Sequence, residues 1–257
     1  MSIPRRLALL ALLLGLPMAQ ARSLTLSLQD YPPYMGEQLV EQGILTQVVR
    51  TVFLRAGIHI KLVAVPNNRA IEGARNGLYD GSFGWARTPE READLYYSAP
   101  VMSLRMVFCQ RRGENYRWST LADLAPHRLG VTRGNFYSSD FDALVSAGTL
   151  LTDVANSDVE NLRKLLARRI DLLPIDAEVG PFLIQTALSA EQSRQLICPP
   201  QAYWSAPLHV VLTRQHPGNA ALLHRFDARL ASMRASGELE KLIATTREAV
   251  IAAQRPH

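Results

Sequence analysis

Cysteine is scarce in this 257-residue chain, with Cys109 and Cys198 the two present. Two cysteines cannot build a disulfide-dense scaffold, and without a CxxC pair or a Cys/His cluster they cannot build a zinc module. The histidines, His59, His127, His209, His216, His224 and His257, fall in no metal-ligand spacing, so neither a metal nor a cofactor is expected. Basic residues outnumber acidic ones, 28 against 23, but they occur as pairs such as Arg111-Arg112 and Arg168-Arg169, never as a long run. That scatter argues against nucleic-acid binding. The phosphate-loop spacing G-x-x-x-x-G-K-[ST] and the hydrolase elbow G-x-S-x-G are both missing. Beyond the amino terminus no apolar stretch is long enough to span a membrane. With 15 glycines, 15 prolines, 47% hydrophobic and 20% charged residues, neither collagen, coiled coil nor disorder describes the whole chain, and ordinary packing must supply the core.

What is present begins with an amino-terminal segment of its own character. Arg5 and Arg6 precede the apolar block Leu7 to Met18, and Ala19-Gln20-Ala21 puts small residues at the −3 and −1 positions of a cleavage site. That order of features is an export signal, so residues 1–21 are expected to be removed and the remainder to be periplasmic. A membrane anchor is the alternative, but Gly15, Pro17 and Gln20 interrupt the apolar run.

Leu24 to Leu28 alternates apolar and polar side chains, which predicts a half-buried strand delivering the irregular loop Gln29 to Tyr34. Ile44, Leu45, Val48, Val49, Val52 and Phe53 have helical spacing up to Gly57, and Ile58 to Val63 then reads as a strand. A helix over Arg69 to Asn76, closed by Gly77, leads to a short buried strand at Tyr79 to Gly84. Met102 to Gln110 is a long strand, and the chain is expected to cross into a second unit at Arg111 to Asn115. There, a strand at Arg128 to Thr132, a helix over Asp158 to Ala167 capped by Ser157, and a strand at Ile170 to Ile175 follow. Ser205 to Thr213 is the returning strand, and helical stripes through Leu223, Phe226 and Leu230, then Leu239, Leu242 and Ile243, close the chain. Alternating elements predict an α/β fold. Two units fit the pattern, one of residues 22–110 with 206–257 and one of residues 111–205.

The stretch Gly77 to Arg91, with Asp80, then Thr88-Pro89-Glu90-Arg91, followed by Ser98-Ala99-Pro100, resembles the periplasmic solute-binding proteins for polar amino acids, family 3. Asp30 to Tyr34, Gly130 to Gly134, and Ile170-Asp171 with Asp176 fall in the matching order, so the likeness covers nearly all of the chain beyond residue 21. The resemblance implies a two-lobed, type II periplasmic-binding-protein fold, hinged at two crossings, with ligand trapped between the lobes.

Within that likeness Arg91 matches the arginine that holds a ligand carboxylate, and a guanidinium offers a planar pair of donors suited to two oxygens. The alternative is an exposed arginine in a first helical turn, where a positive charge is unfavourable. Asp176 matches the acid that accepts hydrogen bonds from a ligand α-amino group, against the alternative of a helix cap. The turn Gly130 to Gly134 would offer backbone amides to the carboxylate. Asn135 and Phe136 stand where the family usually has Ser or Thr, and Ala86 stands where many relatives carry a hydroxyl, leaving backbone groups of Gly84 and Ala86 to meet ligand. Tyr34 and Trp85 are candidates for an aromatic wall. Tyr31 shares that loop but reads equally as core. Arg69 would meet a second anionic group, and Asn67 or Asn68 would otherwise cap the helix.

An export compartment permits disulfides, and Cys109 and Cys198 lie close to the two expected crossings. They either pair or remain separate thiols. The expected activity is non-enzymatic capture of an amino-acid-like ligand by a monomer, which presents its closed form to an inner-membrane ABC permease or a sensor kinase. Two alternatives stay open. One is an enzyme on the same scaffold, similar to periplasmic cyclohexadienyl dehydratases, with Glu178 or Asp176 as general acid. The other is a sensory or scaffold protein whose cleft is degenerate.

Overall fold

A computed structural model describes residues 23–254, so the expected export signal lies outside the described residues. The chain opens with β1 (Leu24–Leu28), α1 (Ile44–Arg55), β2 (Ile60–Ala64), α2 (Asn67–Arg75), β3 (Gly81–Trp85), α3 (Pro89–Glu92) and β4 (Leu95–Tyr97). The long β5 (Met102–Arg111) leads into β6 (Arg128–Thr132), α4 (Ser139–Ser146), β7 (Leu151–Ala155), α5 (Asp158–Leu166), β8 (Leu173–Asp176), α6 (Val179–Thr186), α7 (Ala190–Arg194) and β9 (Leu196–Ile197). The long β10 (Trp204–Thr213) returns to α8 (Asn219–Ala235) and α9 (Glu238–Gln254).

One curled sheet runs in the order β2-β1-β3-β10-β5-β8, and β6 pairs with β7 in a second, parallel sheet. An isolated bridge from Leu129 to Leu172 places β6 beside the entry to β8. The two long strands carry the connection. β10 pairs with β3 over His209 to Leu212 and with β5 over Trp204 to Leu208, while β5 pairs with β8 over Met106 to Cys109. Parallel β1, β2 and β3 with α1, α2, α8 and α9 therefore lie at one end, and β6, β7 and β8 with α4 and α5 at the other.

β1 departs from the half-buried expectation. Leu24, Leu26 and Leu28 are buried as the alternation requires, but Ser27 is buried too. A parallel strand between β2 and β3, with helices over the sheet, has no solvent face. The Ser27 hydroxyl is satisfied by donating to the Ala70 carbonyl at 2.8 Å. α2 begins two residues before the expected Arg69, so Asn67 and Asn68 are helical and Pro66 takes the cap position. β2 and β8 start later than the patterns suggest, with Ile58 and Ile170 buried just ahead of them. β7, α7 and β9 carry no clear periodic signal. β7 pairs with β6 alone and exposes Leu151 and Val154, so its side chains never needed to alternate.

Cys109 in β5 and Cys198 after β9 form a disulfide. It ties the outgoing long strand to the returning chain, and Gly180 of α6 packs directly on it.

Candidate functional site

The loop after β1 reaches the carboxyl end of β8, where the Tyr34 hydroxyl meets Asp176, so the two ends of the molecule touch there. In open α/β sheets the carboxyl ends of the strands are where ligands sit, because loops and helix starts converge there. Trp85 ends β3, Thr132 ends β6, Asp158 follows β7, and Asp176 ends β8.

Arg91 lies in the short α3, whose cap is Thr88. Its guanidinium donates to the Ala86 carbonyl at 3.3 Å and lies over the Trp85 ring, 5.2 Å from the centroid. No carboxylate among the described residues pairs with it. Trp85 is itself buried, and its indole donates to the Ser82 hydroxyl at 2.8 Å, so the ring is a core residue that offers one face to the arginine. Gly84 adopts φ +83°, and a Cβ there would stand 2.3 Å from Met35 Cε, so a side chain would both strain the backbone and collide. Arg69 sits on the surface at the start of α2.

Asp176 is buried, with 2% of its surface exposed. Its Oδ1 accepts from the Tyr34 hydroxyl and the Glu178 amide, both at 2.9 Å, and from the Val179 amide at 3.3 Å. Its Oδ2 accepts from the Arg105 amide at 2.9 Å. Burial raises its pKa, and these hydrogen bonds oppose the rise. The carboxylate thus helps satisfy the start of α6, as the capping alternative required, and also receives a tyrosine from the opposite end of the molecule.

That tyrosine, Tyr34, is fully buried, so it forms no open aromatic wall. Burial, then the neighbouring Asp176, holds its hydroxyl protonated far above the usual phenol range. Tyr31 stacks on it, centroids 5.6 Å apart and planes 7° apart, and presents the solvent-facing ring. Although Tyr31 is 37% exposed as a residue, its hydroxyl is desolvated and feels both Asp176 and Asp158, which raise its pKa further. Tyr31 is therefore the exposed ring of the pair.

On the facing side, Thr132 donates its hydroxyl to Asp158 Oδ1 and accepts from the buried Asn161 amide at 3.0 Å. Desolvation raises the pKa of Asp158. The turn expected to offer backbone amides has largely committed them: Gly130 donates to the Leu172 carbonyl, Arg133 to Ala155 and Asn135 to Thr132. Asn135 and Phe136 are exposed, and the Phe136 ring meets Trp204 edge-on at 5.9 Å.

The sequence pattern of the bacterial extracellular solute-binding proteins, family 3, matches residues 25–245. The chain belongs to this family. No curated protein matches the chain. Among solved structures, the second substrate-binding domain of a protein described as an amino acid ABC transporter from Streptococcus pneumoniae Canada MDR_19A is similar with a TM-score of 0.69 at 17% identity, covering 87% of this chain and 98% of that one. Substrate-binding domain 2 of Lactococcus lactis GlnP, in an open conformation, gives 0.65 at 18%, covering 86% and 94%. A histidine kinase sensor domain with similarity to periplasmic binding proteins gives 0.62 at 18%, covering 87% and 95%. At these identities the likeness establishes the fold, the two-lobed periplasmic-binding-protein architecture. The long β10 pairs with both β3 and β5, and β5 pairs with β8, so these two strands connect the two ends of the molecule.

Sequence reasoning did not single out Asp158 or Thr132. Their signal was a Ser-Asp helix start and a threonine at a strand end, and it became legible only once β7 placed Asp158 at the carboxyl edge of a sheet.

Proposed function

We propose that this family 3 protein captures an amino-acid-like ligand between its lobes, residues 22–110 with 206–257 and residues 111–205, without transforming it. Arg91 carries the reading. A guanidinium with no carboxylate partner, braced by a carbonyl and an aromatic face, is preorganised to receive two carboxylate oxygens at little ordering cost. Gly84 and Ala86 let ligand approach the backbone beside it, Tyr31 covers the apolar part, and Asn135 and Phe136 form the rim of the facing lobe. Arg69, exposed in the first turn of α2, would meet a second anionic group.

Closure is the transmitted signal. A ligand held by both lobes stabilises the closed form by its differential affinity. A periplasmic monomer in that form would dock on a membrane partner, an ABC permease or a sensor kinase, and the solved relatives include domains of both kinds.

The test is thermal unfolding of the mature protein, refolded to strip carried-over ligand, against amino acids, small peptides, carboxylates and prephenate. A native-state ligand must raise the midpoint with concentration. One amino-acid class should do so, and Arg91→Ala should abolish the shift. Turnover of prephenate would replace this reading with an enzyme, and a ligand bound equally well by Arg91→Ala would remove Arg91 from the site.

A further inference from the structure

We propose that the Cys109–Cys198 disulfide is a thiol-exchange site entered from the Cys198 side, and that it takes a small anionic thiol, one carrying a carboxylate or sulfonate. The site is separate from the proposed ligand site, whose Arg91 and Asp176 line no part of it.

The two sulfurs differ in access. Cys109 is fully buried in β5, whereas Cys198 is partly buried and lines a surface cavity of about 380 Å³. An entering thiol therefore meets Cys198 first. Pro181 and Ile184 of α6 give the cavity apolar lining, and its charged lining residues are two exposed arginines, Arg112 and Arg194. Arg112 is held along the same segment, donating to the Arg194 carbonyl at 3.0 Å and the Leu196 carbonyl at 3.4 Å. Those contacts orient its guanidinium without neutralising it, and no carboxylate lines the cavity. Two positive charges beside a disulfide concentrate an anionic thiol there and favour its thiolate form.

The exchange follows from that geometry. The entering thiol gives its proton to water, its sulfur bonds to Cys198 Sγ, the S–S bond breaks, and Cys109 leaves as a thiolate that takes up a proton. A second thiolate then attacks the added sulfur, releasing Cys198 as a thiol and the small thiol as its own disulfide. Burial makes Cys109 a poor leaving group, so exchange is slow unless the entering thiolate is concentrated beside Cys198. That is the service the arginines provide. The bridge closes a covalent ring over residues 110–197, which hold β6 to β9, so exchange at Cys198 opens the ring around that whole unit.

The experiment follows loss of the disulfide in the oxidised protein, well below its unfolding midpoint, with 2-mercaptoethanesulfonate, 2-mercaptoethanol and cysteamine. Each rate is taken per thiolate and divided by that thiol's rate with a small soluble disulfide. The anionic thiol should then outpace the cationic one by about tenfold or more at low salt, and by no more than about twofold in molar salt. Arg194→Gln, at an exposed position, should cut the preference by roughly threefold, and Arg112→Gln by a similar factor. Mass spectrometry after alkylation of free thiols should find the first adduct on Cys198 and the alkyl group on Cys109. Equal rates for all three thiols, a preference unchanged in both arginine variants, an adduct on Cys109, or a native protein inert to every thiol would each overturn the assignment.

Discussion

At the residue scale, the Tyr34 hydroxyl and the Asp176 carboxylate explain each other. Burying a phenol or a carboxylate alone is costly, and each supplies the other's missing partner 142 residues away in sequence. Tyr34→Phe should therefore lower stability by about 1.5–3 kcal/mol, the range for hydrogen bonds to a charged group, as read from urea unfolding at neutral pH. A change below about half a kcal/mol would mean that water replaces the hydroxyl freely. Arg91 differs in kind. Its contacts leave its charge without a carboxylate partner, so in the proposed reading its substitution costs binding far more than stability.

At the scale of elements, α6 is held at both ends by features distant in the chain. Asp176 accepts from the amides at its start, and farther along Gly180 lies against the disulfide between β5 and the segment after β9. A Cβ at position 180 would stand 2.7 Å from Cys109 Sγ and 2.9 Å from Cys198 Sγ. Neither sulfur can move far, since each is bound to the other. Gly180→Ala should destabilise by about 1–3 kcal/mol, the usual cost of overpacking, outweighing alanine's better helix propensity of about 1 kcal/mol. Denaturant unfolding of the oxidised protein would reveal it, and a more stable variant would show that α6 slides without penalty. The two elements that pattern reading missed most plainly, β7 and α7, are short, and one is an exposed edge. Hydrophobic periodicity reports burial on one face, and an edge strand exposing Leu151 and Val154 gives no such report.

At the scale of the whole molecule, contacts between the lobes set how easily they part. Arg247 of α9 makes a two-pronged ion pair with Glu178, which precedes α6, with both hydrogen bonds at 2.6 Å. α9 packs mainly on α1 and α8, so this pair links that helical layer to the start of α6. Leu39, Ile44, Phe182 and Val250 form a small apolar cluster along the same seam. Both charged side chains are partly exposed, which limits the pair to roughly 1 kcal/mol of coupling in a double-mutant cycle of Glu178→Gln and Arg247→Gln. Arg247→Gln should also shift the ligand-free protein toward more extended shapes, measurable as a larger radius of gyration in small-angle scattering. An unchanged radius would mean that the apolar seam alone holds the lobes in place.

Much of this architecture was legible in the amino-acid sequence, because the signals for it are local. Strand alternation, helical spacing and glycine-terminated helices follow from side chains a few residues apart, and they placed β1, α1, β5, α5, β10 and α8 and predicted the α/β class. The Thr88 to Arg91 motif, too, carried its own cap and its own arginine. Tertiary structure decided which polar groups are already taken. That Asp176 is met by Tyr34 and Arg105, that Tyr34 is core while Tyr31 is exposed, and that the Gly130 and Arg133 amides are taken by Leu172 and Ala155 depend on partners roughly twenty to more than a hundred residues away. Hydrogen-bond satisfaction and burial are properties of assembled surfaces, and no spacing along the chain encodes them.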